Sequence, residues 1–183
     1  MAFNINDMKA QLVGGGAKPT LFQVVITNPI NSNADFKVPF MVHATTLPPS
    51  QLGTFEVPYM GRKIQLAGDR TFPEWSVSVF NDEDFSIRNG MENWMNTINS
   101  HTGNLRLTGT SAPAEYKSQA TVTQYSKTGQ AIREYKFEGI FPTLLGDIQM
   151  DWNSTDSIET YNITFKYDLW TVDGITNSVA TGA

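Results

Sequence analysis

Cysteine is absent from the 183 residues. That excludes a disulfide framework, a thiolate zinc site and a cysteine nucleophile together. Histidine is nearly absent. The two copies, His43 and His101, are too few for a three-histidine metal site, and neither has an acidic partner or nucleophile motif close by in the sequence. Each reads as ordinary structure, a strand face and a helix end. Positive charge is sparse, with 13 Lys and Arg against 18 Asp and Glu, a formal net charge of −5. The cations are scattered, Arg62-Lys63 being the nearest to a cluster, so the basic stripe of a tight nucleic-acid binder is missing. No run approaches the roughly 18 apolar residues that cross a bilayer. Residues 1–9 lack the basic start and apolar stretch of a secretory signal. The expectation is synthesis in a cytoplasm and no membrane insertion by the chain itself.

Motifs that carry chemistry are also missing. Gly14-Gly15-Gly16-Ala17-Lys18-Pro19-Thr20 has the look of a phosphate loop, but the Gly-Lys-Ser/Thr ending is absent, Pro19 breaks the helix start and no strand precedes it. A flexible joint is expected there. Asp151, Asn153 and Asp156 share calcium-loop spacing, yet the pattern needs glycine where Asp156 stands and an acid where Asn162 stands. The sequons at Asn153 and Asn162 have no secretory signal to expose them to glycosylation. Asp69, Arg70 and Glu74 read as a salt-bridged turn, with no base or oxyanion arrangement beside them. The expectation is a chain that is not an enzyme, with no catalytic residues, cofactor or metal.

What is present is β-pattern. Residues 4–13 suggest a short helix with Ile5, Met8, Leu12 and Val13 on one face, ended by the glycine triplet. Leu21–Thr27 is a strand, and residues 28–35 a turn-rich loop. Phe36, Val38, Phe40, Val42 and Ala44 fall on one face and Lys37, Met41 and His43 on the other, which predicts a half-buried strand over 36–45 with Pro39 at an edge or bulge. Residues 50–67 read as an extended hairpin turning at Gly61. Trp75, Val77 and Val79 mark another strand. Ile87, Met91, Trp94, Met95 and Ile98 have helical spacing, with Asn81 to Asp84 supplying the N-cap and first-turn acids. Strands are predicted over 117–126, 131–140 and 159–170, the first two joined by the Lys127–Gln130 turn. In the last, Tyr161, Ile163, Phe165, Tyr167 and Leu169 share a face. The sum is a mainly β single domain over 1–183 with one packed helix, an N-terminal segment over 1–17 and a polar, loose tail over 171–183. The segment 46–68 is punctuated by proline and glycine yet rich in large apolar residues. On its residues alone it either folds onto its own core or packs against a neighbour.

The order of residues from Thr46 to Asp82, TLPPSQLGTFEVPYMGRKIQLAGDRTFPEWSVSVFND, says more. Met60-Gly61-Arg62-Lys63-Ile64, Ala67-Gly68-Asp69-Arg70-Thr71-Phe72 and Trp75 are its centre. This run resembles the tail tube proteins of T-even-type contractile phages. Leu21 to Val24, Trp94, Pro113 to Lys117, Gln124-Tyr125, Gly139, Pro142-Thr143, Gly146-Asp147, Asp151-Trp152, Glu159-Thr160 and Tyr167 to Trp170 resemble that family in the same order, over roughly 18–170. The departures are an enlarged loop at 28–35 and the added tail.

The resemblance implies a β-sandwich or rolled barrel with one flanking α-helix, the fold of type VI secretion tubes. It implies hexameric rings stacked into a tube inside a tail sheath protein, started by a baseplate tube initiator. The lumen would hold a tape measure protein and then genomic DNA without tight binding. It favours burial of the 46–68 arm against a neighbouring copy, with Leu47, Leu52, Phe55, Val57, Tyr59, Met60, Arg62, Lys63, Asp69 and Arg70 as interface residues. Glu134, Lys136 and Glu138 are then candidates to face the lumen, where a mildly negative wall avoids holding DNA. A baseplate initiator of the same fold and a stand-alone carbohydrate-binding β-sandwich are the alternatives. The first need not use both ring faces; the second would be a monomer with exposed tryptophans on one face.

Overall fold

A bend in one strand organises the fold. The computed structural model describes residues 5–107 and 111–172. Strand β7 (Ala131–Leu145) pairs along its first half with β6 (Ser118–Tyr125), and along its second half with β8 (Thr160–Lys166). Outward from β6 lies β1 (Phe22–Ile26). Outward from β8 lie β5 (Trp75–Phe80) and then β2 (Val42–Thr45). A short β9 (Leu169–Val172) pairs with the first half of β7 on its other side. One seven-stranded sheet thus folds over itself at β7 and encloses the core, but it does not close: β1 and β2 are its two ends.

The bend has a local cause. Gly139 has φ +69°, and pairing with β6 jumps from Glu138 to Ile140 across it. A left-handed glycine inserted as an extra residue is a bulge, which bends and twists the strand. A second irregularity follows between Pro142 and Leu144, where the missing proline N–H is tolerated. The predicted strand over 131–140 therefore runs on to Leu145. Beside the Gly139 bulge the predicted strand over 159–170 breaks. Lys166 ends β8, Leu169 starts β9, and Asp168 N–H donates to Glu138 O at 3.0 Å. Tyr161, Ile163, Phe165 and Tyr167 point to the core as expected, whereas Leu169 is 38% exposed, because the alternation restarts after the break.

Between the two halves of the sheet, Trp75 stacks on Phe137 at 4.4 Å and meets Phe165 at 5.6 Å. Its indole N–H donates to Thr46 O at 2.9 Å, so the buried ring leaves no polar atom unpaired. Helix α3 (Ser86–Ile98) lays Ile87, Met91 and Trp94 on this core, and Trp94 Nε1 donates to Tyr116 O at 2.8 Å. Tyr116 ends the short helix α4 (Pro113–Tyr116). The N-cap of α3 is none of the predicted residues 81–84. It is Phe85, in left-handed conformation at φ 51° and without a side-chain cap. Asp84 serves from one residue further out, accepting from Ser86 N at 3.0 Å while bound by Lys37. That ammonium, with the Ser86 N–H, holds the Asp84 carboxyl down to about 2.

The expected strand over 36–45 is half wrong. Residues Val38–Met41 form a helix, α2, and only Val42–Thr45 is strand. Val38 and Val42 are buried one helical turn apart, while Phe36 and Phe40 are 68% and 81% exposed. Pro39 sits in the first turn of α2, where its missing donor costs nothing. The loop 28–35 is pinned by buried Asn28, whose Oδ1 accepts from Ile30 N and Asn31 N and whose Nδ2 donates to Gly90 O at 3.0 Å. At the N-terminus, α1 (Ile5–Gln11) forms as expected, but it buries no residue. The glycine turn after it is latched by Lys127 Nζ on the carbonyls of Gly14 and Gly15, at 2.9 and 3.2 Å. Residues 173–183 of the predicted tail lie outside the described residues.

Candidate assembly interface

The predicted arm is a hairpin that stands apart. β3 (Gln51–Tyr59) and β4 (Arg62–Thr71) form a two-stranded sheet of their own, three residues longer at its C-terminal end than the predicted 46–68 and beginning five residues later. The turn is Met60-Gly61, with φ 43° and 81°. Both values are positive, the type I′ geometry that matches the twist of two strands. Asparagine is the usual first residue of such a turn. Methionine there costs on the order of 1 kcal/mol of backbone strain. In return a flexible apolar side chain stands at the tip, 88% exposed.

Cross-strand pairing sorts the arm into two faces. Phe55 opposes Leu66, Val57 opposes Ile64, and Tyr59 opposes Arg62. Opposed residues share a face, so five large apolar groups line one side of the hairpin. Thr54 with Ala67, Glu56 with Gln65, and Pro58 with Lys63 line the other. On that polar side Lys63 Nζ reaches Glu56 at 2.6 Å and Gln65 donates to the same carboxylate, together holding Glu56 below its ordinary value. The described residues leave the apolar side open: Phe55, Val57, Tyr59, Ile64 and Leu66 are all 40% exposed or more. Covering them is worth about 1 kcal/mol each, before the cost of ordering the partners. A lone two-stranded hairpin is marginal in water. Ile64 and Leu66 were not among the residues predicted for the interface. Pairing across the Gly61 turn is the signal that would have added them.

The remaining predicted interface residues lie elsewhere. Below Thr54 the hairpin has a bulge, where Gly53 faces Gly68 so closely that a Cβ on Gly68 would stand 3.2 Å from the backbone of Gly53. Leu52, Asp69 and Arg70 lie at this base. Arg70 donates to Ser50 Oγ at 2.8 Å, and Glu74 pairs with Lys166 at 3.4 Å, so the Asp69, Arg70 and Glu74 group does not gather as a salt-bridged turn. Leu47 is off the arm. It lines a small groove with Phe22 and Val122, between the sheet ends β1 and β2. Glu134, Lys136 and Glu138 share the solvent face of β7, opposite buried Phe137, with Lys136 and Glu134 paired at 3.5 Å. The neighbouring strand adds Gln119, Thr121 and Thr123 to this face, which is polar and close to neutral.

Among the described residues, no three or more His, Cys, Asp and Glu are grouped to hold a metal ion. Asp151 Oδ1 accepts from Asn153 N at 3.0 Å in a local turn. His43 stacks on Phe80 at 4.2 Å, and His101 N donates to Asn96 Oδ1 just beyond α3. No described helix is long and apolar enough to cross a membrane.

Comparison with known proteins converges on one family. Residues 17–173 match the family described as phage tail tube protein. Tail tube protein gp19 of Enterobacteria phage T4 is 39% identical over 158 residues, covering 86% of this chain and 92% of the relative. Two solved structures share the fold at low identity. The cap that terminates the tube of the anti-feeding prophage superposes with TM-score 0.62 at 16% identity, over 86% of this chain and 90% of that one. A chain of the PVC sheath–tube complex, from an extracellular contractile injection system in its extended state, superposes with TM-score 0.60 at 14% identity, over 95% and 100%.

Proposed function

The chain belongs to the phage tail tube protein family and is a structural component of a contractile tail, and from that premise we propose how its copies build the tube. Six copies close into a ring, and rings stack into a conduit inside the sheath. The observation that carries this reading is the arm, a hairpin with five large apolar groups on one face that the described residues leave exposed. A second copy of the chain supplies the cover. Among the described residues, β1, β2 and β9 are each paired on one side only. Unpaired strand edges invite pairing with another chain, and a closed ring leaves none free. The tube starts on a baseplate initiator in the host cytoplasm and becomes part of the virion. It surrounds a tape measure protein and later passes the genome. The polar face carrying Glu134, Lys136 and Glu138 lines the channel, since a wall without a surplus of cations forms no tight phosphate sites. The role is mechanical and calls for no catalysis.

Negative-stain microscopy of the purified chain at high concentration tests the proposal. Wild type gives stacked rings or tubes, and Phe55→Glu with Val57→Glu gives folded monomers. A double variant that assembles like wild type would sink the role of the arm. Reversing the charge of Glu134 and Glu138 slows genome ejection; an unchanged rate would remove them from the lumen.

A further inference from the structure

A groove of about 540 Å³ lies where α2, the end of β5 and residues 157–159 meet. Met41, Phe80, Phe85 and Ile158 give it an apolar floor. Acids surround that floor: Asp82, Glu83 and Glu159. Two of them are engaged, Asp82 by Lys37 at 3.1 Å and Glu159 by Asn81 Nδ2 at 2.8 Å. Glu83 has no ion pair among the described residues. Phe85 is held in left-handed backbone, strain of the kind that clusters where a ligand is clamped.

The tip of the arm has the complementary chemistry. It presents Met60, the most exposed of its apolar groups, beside Tyr59 and Arg62. Arg62, like Glu83, has no ion pair among the described residues. Met60 carries the same left-handed strain as Phe85, at a turn position where asparagine would relieve it. A methionine's flexibility suits it to filling an irregular apolar cleft in a partner. The tip does not fill its own groove, since Met60 is 88% exposed.

We propose that the acidic-rimmed groove is the socket for the arm tip of a second copy, with Met60 on its apolar floor and Arg62 paired to Glu83. This rests on the tube reading above and gives the arm a specific destination. Plug and socket are different surfaces of one chain, so the contact is head-to-tail, the kind that joins copies around a ring or from ring to ring along a tube according to the rotation between them.

The chain's lack of cysteine makes the test direct. Met60→Cys combined with Ile158→Cys introduces two thiols at positions 88% and 66% exposed, so the fold is kept, as circular dichroism checks. Tubes of this variant, once oxidised, run as a ladder of linked oligomers on a non-reducing gel, and neither single variant gives a ladder. Tubes that form without a ladder overturn the socket and leave the tube reading intact. In parallel, Arg62→Glu and Glu83→Arg each raise the concentration needed for assembly about tenfold, the size of an exposed-to-buried ion pair lost. Combined, they restore most of it. A combination no better than the worse single variant overturns the pairing. A wild-type chain that forms neither rings nor tubes on purified baseplates overturns both readings.

Discussion

Alanine at Gly139 tests whether the bulge in β7 is what bends the sheet. Two penalties are expected, and the structure separates them. The first is backbone strain, because φ +69° is left-handed and an alanine there costs about 1 kcal/mol. The second is steric. An added Cβ would stand 2.1 Å from Asp168 Oδ2, so the carboxylate must swing away. That carboxylate is held by Lys117 at 2.6 Å, and losing a partly exposed pair costs up to about 1 kcal/mol. The sum is about 2 kcal/mol, or a fall of roughly 4–8 °C in Tm for a chain of this size.

Gly129 provides the control. It is equally left-handed, at φ 81°, but nothing lies within 4 Å of its added Cβ. Gly129→Ala therefore loses only the strain, about 1 kcal/mol. Urea unfolding of the monomer, below the concentration of assembly, measures both. In an Asp168→Ala background most of the extra penalty at Gly139 disappears, since the carboxylate is gone and only the Cβ at 168, 3.2 Å from the added one, remains. The reasoning is refuted if Gly139→Ala costs no more than Gly129→Ala, or if its excess is undiminished in the Asp168→Ala background.

Other outcomes follow from the same geometry. Phe55→Ala changes monomer stability by less than about 0.5 kcal/mol, because the side chain is already half exposed, yet impairs assembly; unfolding and sedimentation read the two separately. Trp94→Phe opens a void in the core and strands the Tyr116 carbonyl, for a loss of about 2–3 kcal/mol by urea titration. The Asp84 carboxyl, held down to about 2 against an ordinary 3.8, adds stability that is complete above pH 4 and fades as pH falls toward 2. Lys37→Met returns it toward the ordinary value, which carboxylate NMR would follow. Burial pushes Tyr161 up to about 12 from 10, so its contribution is complete below pH 10 and is lost between pH 10 and 12. Absorbance titration should find this phenol ionising last or only on unfolding.

The parts of this fold that sequence reveals are those where pattern and burial coincide locally. α3 was legible because Ile87, Met91 and Trp94 are spaced for one helical face, and β5 and β8 because their apolar residues alternate strictly. The segment 36–45 misled because apolar residues at every second position also satisfy a spacing of four. Length decides such cases, and a single helical turn is too short to announce itself. The run of β7 past 140 was hidden because a proline such as Pro142 reads as a stop in a strand, whereas the ladder to β8 continues past it through an irregularity. The arm was visible in its hairpin turn and alternation, though its two-faced character required the register. The groove was invisible. Its walls come from Met41, Phe80 and Ile158, which only the folded sheet brings together.

β7 also has a mechanical consequence. Its fifteen residues make about 50 Å of strand measured along the bent backbone, and both halves of the sheet are stitched to that one length. A push on either half passes to the other through covalent bonds and two ladders loaded in shear, not through side chains that can slide. The two layers of the sheet are therefore coupled through the backbone of β7 itself. Under axial thrust that shared backbone is the direct path for load from one layer to the other.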